Sequence, residues 1–249
     1  MHARSAPAAR DVTTAPPRFR RAPRRRAADV MTRRVLVAWS SGKDSAWMLS
    51  LLERDPAYQV AALMTTFDER HAQVSMHGVP RTLVAAQAAA AGLPLWEVPL
   101  PWPCPNEIYA ARMRAVIARA RDEHVTAVAF GDLFLADIRA WRERQLADCG
   151  LDALFPLWRT PADSAALAHT MIAGGLQATL CALDTTRLAA DLLGRAFDHA
   201  LLDALPPDVD PCGEHGEFHT FCTHAPCFAA PVAVVTGART LQDGVARCT

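Results

Sequence analysis

Val35-Leu36-Val37-Ala38-Trp39-Ser40-Ser41-Gly42-Lys43-Asp44-Ser45 joins an unbroken apolar run to a short polar loop. The apolar half has the length and character of a buried strand. Beyond the loop, Trp47, Met48, Leu51 and Leu52 recur at helical spacing, which predicts a helix over 44–53. A strand, a loop of small polar residues and a helix N-terminus together make an anion site, because N–H groups converge there and the helix end is positive. Gly42 permits close backbone approach. Ser40, Ser41 and Ser45 offer hydroxyls, and Lys43 a point charge. Asp44 is suited either to cap the helix or to help hold Mg²⁺ beside a bound nucleotide. The loop is not a Walker A motif, which needs Gly five residues before its Gly-Lys pair; position 37 is Val. A helix start capped by Ser and Asp would produce a similar string without any ligand. The strand–loop–helix setting favours phosphate.

Working outward, apolar runs and amphipathic stretches alternate. Strands are expected at 59–66, 95–100 and 125–130, and helices at 80–91, 106–123 and 134–148. Pro80 suits a first helical turn, and Gly92 a helix C-terminus. This alternation predicts an α/β fold, a doubly wound parallel sheet covered on both faces. Ligands in such sheets bind at the carboxyl ends of the strands, here near Ser40, Thr66 and Gly131. After Gly150 the pattern breaks at Pro156-Leu157-Trp158 and Pro161. A helix over 164–173, a strand over 177–183, helices within 187–205 and a Gly-, Cys- and His-rich segment over 210–228 follow. Four parts are expected: a disordered basic segment (1–32), a nucleotide-binding domain (33–150), a smaller C-terminal α+β region carrying substrate contacts (151–230) and a tail (231–249).

The chain is formally neutral, yet residues 1–30 hold eight Arg and two Asp, a net of +6 that leaves −6 on the remainder. An acidic body gives no reason to expect nucleic-acid binding. The basic head, rich in Ala and Pro, has the composition of a targeting peptide, a nucleic-acid tail, or simply residues upstream of a start at Met31; the last is the expectation. No stretch reaches the roughly 18 apolar residues of a membrane span. The nearest, 83–96, is interrupted by Gln87 and Pro94. Seven Cys, an odd number, point to a reducing, cytoplasmic setting.

Several other residues have the chemistry of a site. Asp132, just past a strand end, is placed to ligate Mg²⁺ or orient a substrate, or to cap the next helix. Arg139 and Arg142 share a helix face, with Glu143 one turn after Arg139. They make either a clamp for a carboxylate or phosphate, or an exposed ion-paired face. Glu214 and Glu217 flank Gly216 and suit general-base work on an amine if their pKa values are raised, or else an exposed turn. His77 suits the nucleotide site or an ordinary loop. Cys212, His215, His219, Cys222, His224 and Cys227 are dense enough to suggest zinc, but their spacing contains no regular ligand pair, and no structural metal is expected.

The hexapeptide 40–45 resembles the SGGKDS signature of the PP-loop ATP pyrophosphatases, with Ser41 in place of a Gly. Val74-Ser75-Met76-His77-Gly78-Val79, Gly131-Asp132 followed by Arg139, Arg142 and Glu143, Phe155-Pro156-Leu157-Trp158, and Asp210-Pro211-Cys212-Gly213-Glu214-His215-Gly216-Glu217-Phe218-His219-Thr220 extend the resemblance over most of 34–230. In that order they are similar to the diphthine–ammonia ligase family, and the 212–220 form is nearer its bacterial-type branch. The resemblance implies an enzyme that uses ATP and Mg²⁺, adenylates a substrate carboxylate with release of pyrophosphate, and forms an amide with ammonia or an amine. It implies catalytic roles for Lys43, Asp132, Glu214 and Glu217. It implies nucleotide contacts from Ser40, Ser41, Gly42, Lys43, Asp44, Ser45 and Gly131, with adenine near Thr65 and Thr66. Substrate contacts fall to His77, Arg139, Arg142, Glu143 and His219, and a homodimer is compatible with it. The alternatives are another PP-loop chemistry, such as ATP hydrolysis or thiolation, and a nucleotide- or zinc-binding regulatory module. Thiolation usually requires a Cys near the loop, and Cys104, after a Pro-rich strand end, is the only N-terminal candidate.

Overall fold

The computed structural model describes residues 32–74 and 78–248, so the basic head and His77 lie outside the described residues. The deciding stretch forms β1 (Arg33–Ala38) and α1 (Lys43–Arg54). Then come β2 (Tyr58–Asp68), β3 (Gln73–Val74), α2 (Arg81–Ala91), β4 (Leu95–Leu100), α3 (Asn106–Asp122), β5 (Ala127–Ala129), α4 (Ala136–Ala147) and β6 (Asp152–Leu154). Five of these strands run parallel in the order β4-β2-β1-β5-β6, and β3 folds back antiparallel on the end of β2. The chain steps outward from β1 to β2 to β4, then returns to the other side of β1. The order therefore reverses between β1 and β5, and there the loop 40–42 emerges.

Both faces of the sheet are covered because β1 is apolar from Val35 to Ala38. Val35 and Val37 pack with Ala46 and Leu49 of α1 and Val84 of α2 on one face. Leu36, between them, packs with Ala120 of α3 and Leu146 of α4 on the other. This is the two-residue alternation of a strand buried on both sides. Gly92 ends α2 with φ 66°, its N–H bonded to Ala89 O at 3.0 Å, in the left-handed conformation that glycine adopts freely.

The C-terminal region adds α5 (Ser164–Ala173), β7 (Gln177–Asp184), α6 (His199–Ala204), β8 (Phe218–His224), β9 (Arg239–Gln242) and β10 (Val245–Cys248). A second, fully antiparallel sheet of order β8-β7-β10-β9 results. Leu180, Phe218 and Cys222 of this sheet share a core with Ala46 and Trp47 of α1.

Two expectations for this half need correction, the helices over 187–205 and the tail. Residues 187–205 are not mainly helical. Gly194 N–H bonds Leu180 O (2.8 Å), Leu180 N–H bonds Arg195 O (2.9 Å) and Phe197 N–H bonds Ala178 O (2.8 Å), so the segment pairs with the edge of β7 before the short α6. The Gly-, Cys- and His-rich segment holds a strand, β8. The expected tail supplies β9 and β10, and β10 completes that same edge of β7. α4 also begins two residues later than expected, at Ala136.

Candidate active site

The loop after β1 is built by its neighbours as much as by itself. Trp39 N–H continues the sheet by bonding Met64 O at 2.8 Å. Ser40 Oγ accepts from Gly42 N–H (3.3 Å) and lies 3.2 Å from Ser45 Oγ, whose hydroxyl donates to Gly42 O (3.0 Å). Ser41 takes φ 71° and is wholly buried. Gly42, at the helix N-cap, has no side chain to cap α1. Thr220 Oγ1 accepts from Lys43 N–H at 3.1 Å instead, and the positive helix end opens toward the cleft at Asp44 and Ser45. A Cβ on Gly42 would lie 3.2 Å from Thr220 O, a tight contact that β8 would have to yield by a few tenths of an ångström to accept. Gly131, two residues past β5, lies against the first turn of α1, where a Cβ would be at ordinary contact distance, 3.4 Å from Ser45 N.

Lys43 is buried, and its ammonium donates to both carboxylate oxygens of Asp44 (2.8 and 3.1 Å) and to Cys212 O. It also sits 5.5 Å from the ring centres of Phe197 and Phe218. Burial works against its charge, but Asp44, with Cys212 and Glu214, outweighs burial and raises its pKa. Burial raises the Asp44 carboxyl, opposed by the Lys43 ammonium. Glu214 lies in the same cleft, and its Oε1 accepts from Leu133 N–H at 2.7 Å. Burial, reinforced by the Asp44 and Asp132 carboxylates, pushes its carboxyl up to about 7 against that hydrogen bond. His219 also lines the cleft; burial first, then the Lys43 and Arg247 charges, lower it to about 4.

The turn carrying Glu214 is wrapped around two carboxylates. Asp210 Oδ2 accepts from Cys212 N–H (3.1 Å) and Glu214 N–H (2.9 Å). Glu217, buried, accepts from Asp210 N–H and His215 N–H, both at 3.0 Å. Glu217 thus shapes the loop and is not among the residues that line the cleft, whereas Glu214 is. Asp132 is engaged by Arg142, at 2.5 Å from Nε and 3.2 Å from the far guanidinium nitrogen, and Arg142 lies over the Phe130 ring. Arg139 pairs with Glu143 at 2.8 Å and covers Phe155 and Trp158; neither Arg139 nor Glu143 lines the cleft.

One cleft of about 1030 Å³ brings together Ser40, Gly42, Lys43, Asp44, Ser45, Thr66, Gly131, Asp132, Arg142, Glu214 and His219. That is at the upper end of the range for small-molecule sites. Its far wall is apolar, formed by Met64, Val128 and Phe130 of the sheet with Met113, Ile117 and Trp141 of α3 and α4. Thr65 does not reach it, because its hydroxyl is buried against Trp39 O at 2.8 Å. Sequence reasoning missed Thr220, Asp210 and Gln87 as parts of this apparatus. Asp210 and Thr220 bound the 210–220 motif without standing out within it, and Gln87 is a lone amide in an Ala-rich helix. Among the described residues no three His, Cys, Asp or Glu side chains come together as a metal group. Cys212 Sγ instead approaches Ser164 O (3.5 Å), Cys222 Sγ approaches His224 O (3.2 Å) and Cys227 Sγ approaches Ala46 O (3.5 Å). Among the described residues no helix is long and apolar enough to cross a membrane.

A parallel sheet whose order reverses beside a Ser-Ser-Gly-Lys-Asp-Ser loop and a helix end that opens into the cleft defines a PP-loop protein, of the ATP pyrophosphatase class. Residues 33–153 match the diphthamide synthase N-terminal domain and residues 163–246 the diphthamide synthase C-terminal domain. The chain belongs to the diphthamide synthase family. No curated protein matches the chain significantly.

Proposed function

We propose that the protein activates a substrate carboxylate with ATP and converts it to an amide. The observation that carries this reading is one cleft holding both the Lys43 end of α1 and Glu214, whose pKa lies near 7. Phosphates bind at residues 40–45, held by the first N–H groups of α1 and by the buried charge of Lys43. The substrate carboxylate attacks the α phosphorus, the α–β bridge breaks, and pyrophosphate departs. Ammonia or an amine then attacks the acyl carbon, AMP leaves, and the nitrogen loses a proton. Glu214 is suited to take that proton, because a base works best with a pKa near the working pH. Glu217 supports the chemistry indirectly, by holding the turn that presents Glu214. Arg142 and Asp132 form a fixed polar wall for the substrate.

Mg²⁺ fits this donor set, since it usually takes one or two carboxylates together with phosphates. Asp44, partly exposed beside the loop, and Asp132 across the cleft are the residues that would hold it. When bound it offsets phosphate charge.

The test is product analysis of ATP turnover with Mg²⁺, candidate carboxylates and ammonium, wild type beside Lys43→Ala. AMP and pyrophosphate are expected, falling on the order of 10²-fold in the variant. ADP, or no turnover with any substrate, would replace this reading with a hydrolase or a nucleotide sensor.

A further inference from the structure

Gln87 is wholly buried and is the only polar residue among the buried positions of α2, beside Val84 and Ala88. Its side-chain oxygen accepts from Trp39 Nε1 at 2.9 Å. Its nitrogen donates to Ser41 O at 3.0 Å and to Cys222 O at 2.7 Å. Ser41 O also accepts from Cys222 N–H at 2.9 Å. One amide therefore ties the strand end before the loop, the loop itself and β8 of the other sheet.

The tie falls on the one residue of the loop that is conformationally unfavourable. Ser41 has φ 71°, a region costly for any residue with a Cβ. Its hydroxyl is buried with no hydrogen-bond partner among the described residues, so the side chain does nothing to hold that geometry. What holds it is the pair of donors on its carbonyl. Releasing Ser41 to negative φ would turn the following peptide and re-aim the start of α1. It would also uncouple the loop from β8, which supplies Thr220 to Lys43 N–H.

We propose that Gln87 is a positioning residue for nucleotide binding, holding Ser41 left-handed and the phosphate loop against β8. This rests on the reading of residues 40–45 as a phosphate site. A side chain that merely filled space would be replaceable by Leu. A clamp is not, because Leu leaves two buried carbonyls short of a donor.

The experiment compares wild type, Gln87→Leu, Ser41→Gly and the double variant by two measurements. One is ATP–Mg²⁺ affinity by calorimetry. The other is amide exchange at Cys222 and Lys43 in the ligand-free protein. In Gln87→Leu, exchange at both amides accelerates about tenfold or more and ATP binds about tenfold more weakly, while β2 amides keep their protection. Ser41→Gly in the same chain restores most of both losses, because glycine adopts the loop conformation without a clamp. Unchanged exchange in Gln87→Leu, or a loss that Ser41→Gly does not recover, overturns the proposal. Should Gln87→Leu alone fail to fold, the double variant is set against Ser41→Gly. Equal exchange and affinity uphold the clamp, and a defect as large as expected for Gln87→Leu refutes it. Wild type that binds no ATP would sink the nucleotide reading, while exchange would still decide the role of Gln87.

Discussion

Glu214 and Glu217 are three residues apart and alike in sequence, yet their surroundings give them different work. Glu217 is buried against two backbone donors, Asp210 N–H and His215 N–H. Glu214 has one such donor, Leu133 N–H, and faces the cleft beside two other carboxylates. The sequence identifies both as candidates, but it does not reveal which would be consumed by the backbone, because that depends on how the turn closes around them. The sign of the resulting pH effect follows directly. The Glu214 carboxyl rises from 4.5 to about 7 on folding, so between those values the folded protein binds more protons than the unfolded chain. Its contribution to stability is complete below 4.5 and lost as pH rises through about 7. Glu214→Gln, which does not titrate, should abolish that decline and remove the limb of the turnover profile centred near pH 7. Urea unfolding at several pH values and a pH–rate profile measure the two effects. A limb that persists in the variant would assign the base to another group.

At the scale of elements, the N-terminal half was legible, and so were α5 and β7 of the C-terminal half, where the expected helix over 164–173 and strand over 177–183 fall; the pairing of the rest was not, for a physical reason. β1 and α1 announce themselves by a change from continuous to helical apolar spacing, and the expected strand over 95–100 coincides with β4. Parallel strands buried on both faces must be apolar throughout, which leaves a clear signature. β8 is different. Phe218, Phe221 and Cys222 belong to the shared core while Phe218, His219 and Thr220 also line the cleft, so its sequence mixes core and site chemistry and lacks simple alternation. The turn before it also depends on an element-level constraint. Gly213 has φ 69°, and a Cβ there would stand 2.8 Å from Phe218 O and 3.1 Å from the Phe218 ring. Gly213→Ala must therefore move either the turn or the start of β8, at a cost of about 1–3 kcal/mol. Because Glu214 is the next residue, turnover should fall more than ATP affinity. Equal stability and turnover in the variant would show that the turn tolerates the displacement.

Across the whole molecule, the two sheets meet at the phosphate loop, and neither alone makes the site. The loop lies at the reversal point of the parallel sheet, but Thr220 and His219 come from the antiparallel one, and Cys212 O from the turn that leads into it. Residues 31–249 accordingly form one compact unit. The last strand bears on this directly. β10 pairs with β7 through Val245↔Asp184, Ala246↔Leu183 and Arg247↔Ala182, and Thr185 bonds Gly244 O through both its N–H and its hydroxyl. Ala246 is buried in the shared core. Deleting residues 237–249 would bare the 182–184 stretch of one edge of β7, opposite the strand that carries Thr220 and His219, while residues 194–197 still cover the rest of that edge. An exposed edge is a template for association. Losing this pairing should lower the unfolding midpoint on the order of 5–10 °C and make it depend on protein concentration. ATP affinity should weaken less than in a variant of the loop itself, since β10 touches β8 only through β7. Calorimetric scans at two concentrations, with and without ATP–Mg²⁺, separate these effects. An unchanged midpoint would mean that β7 and β8 hold the site without their partner strand.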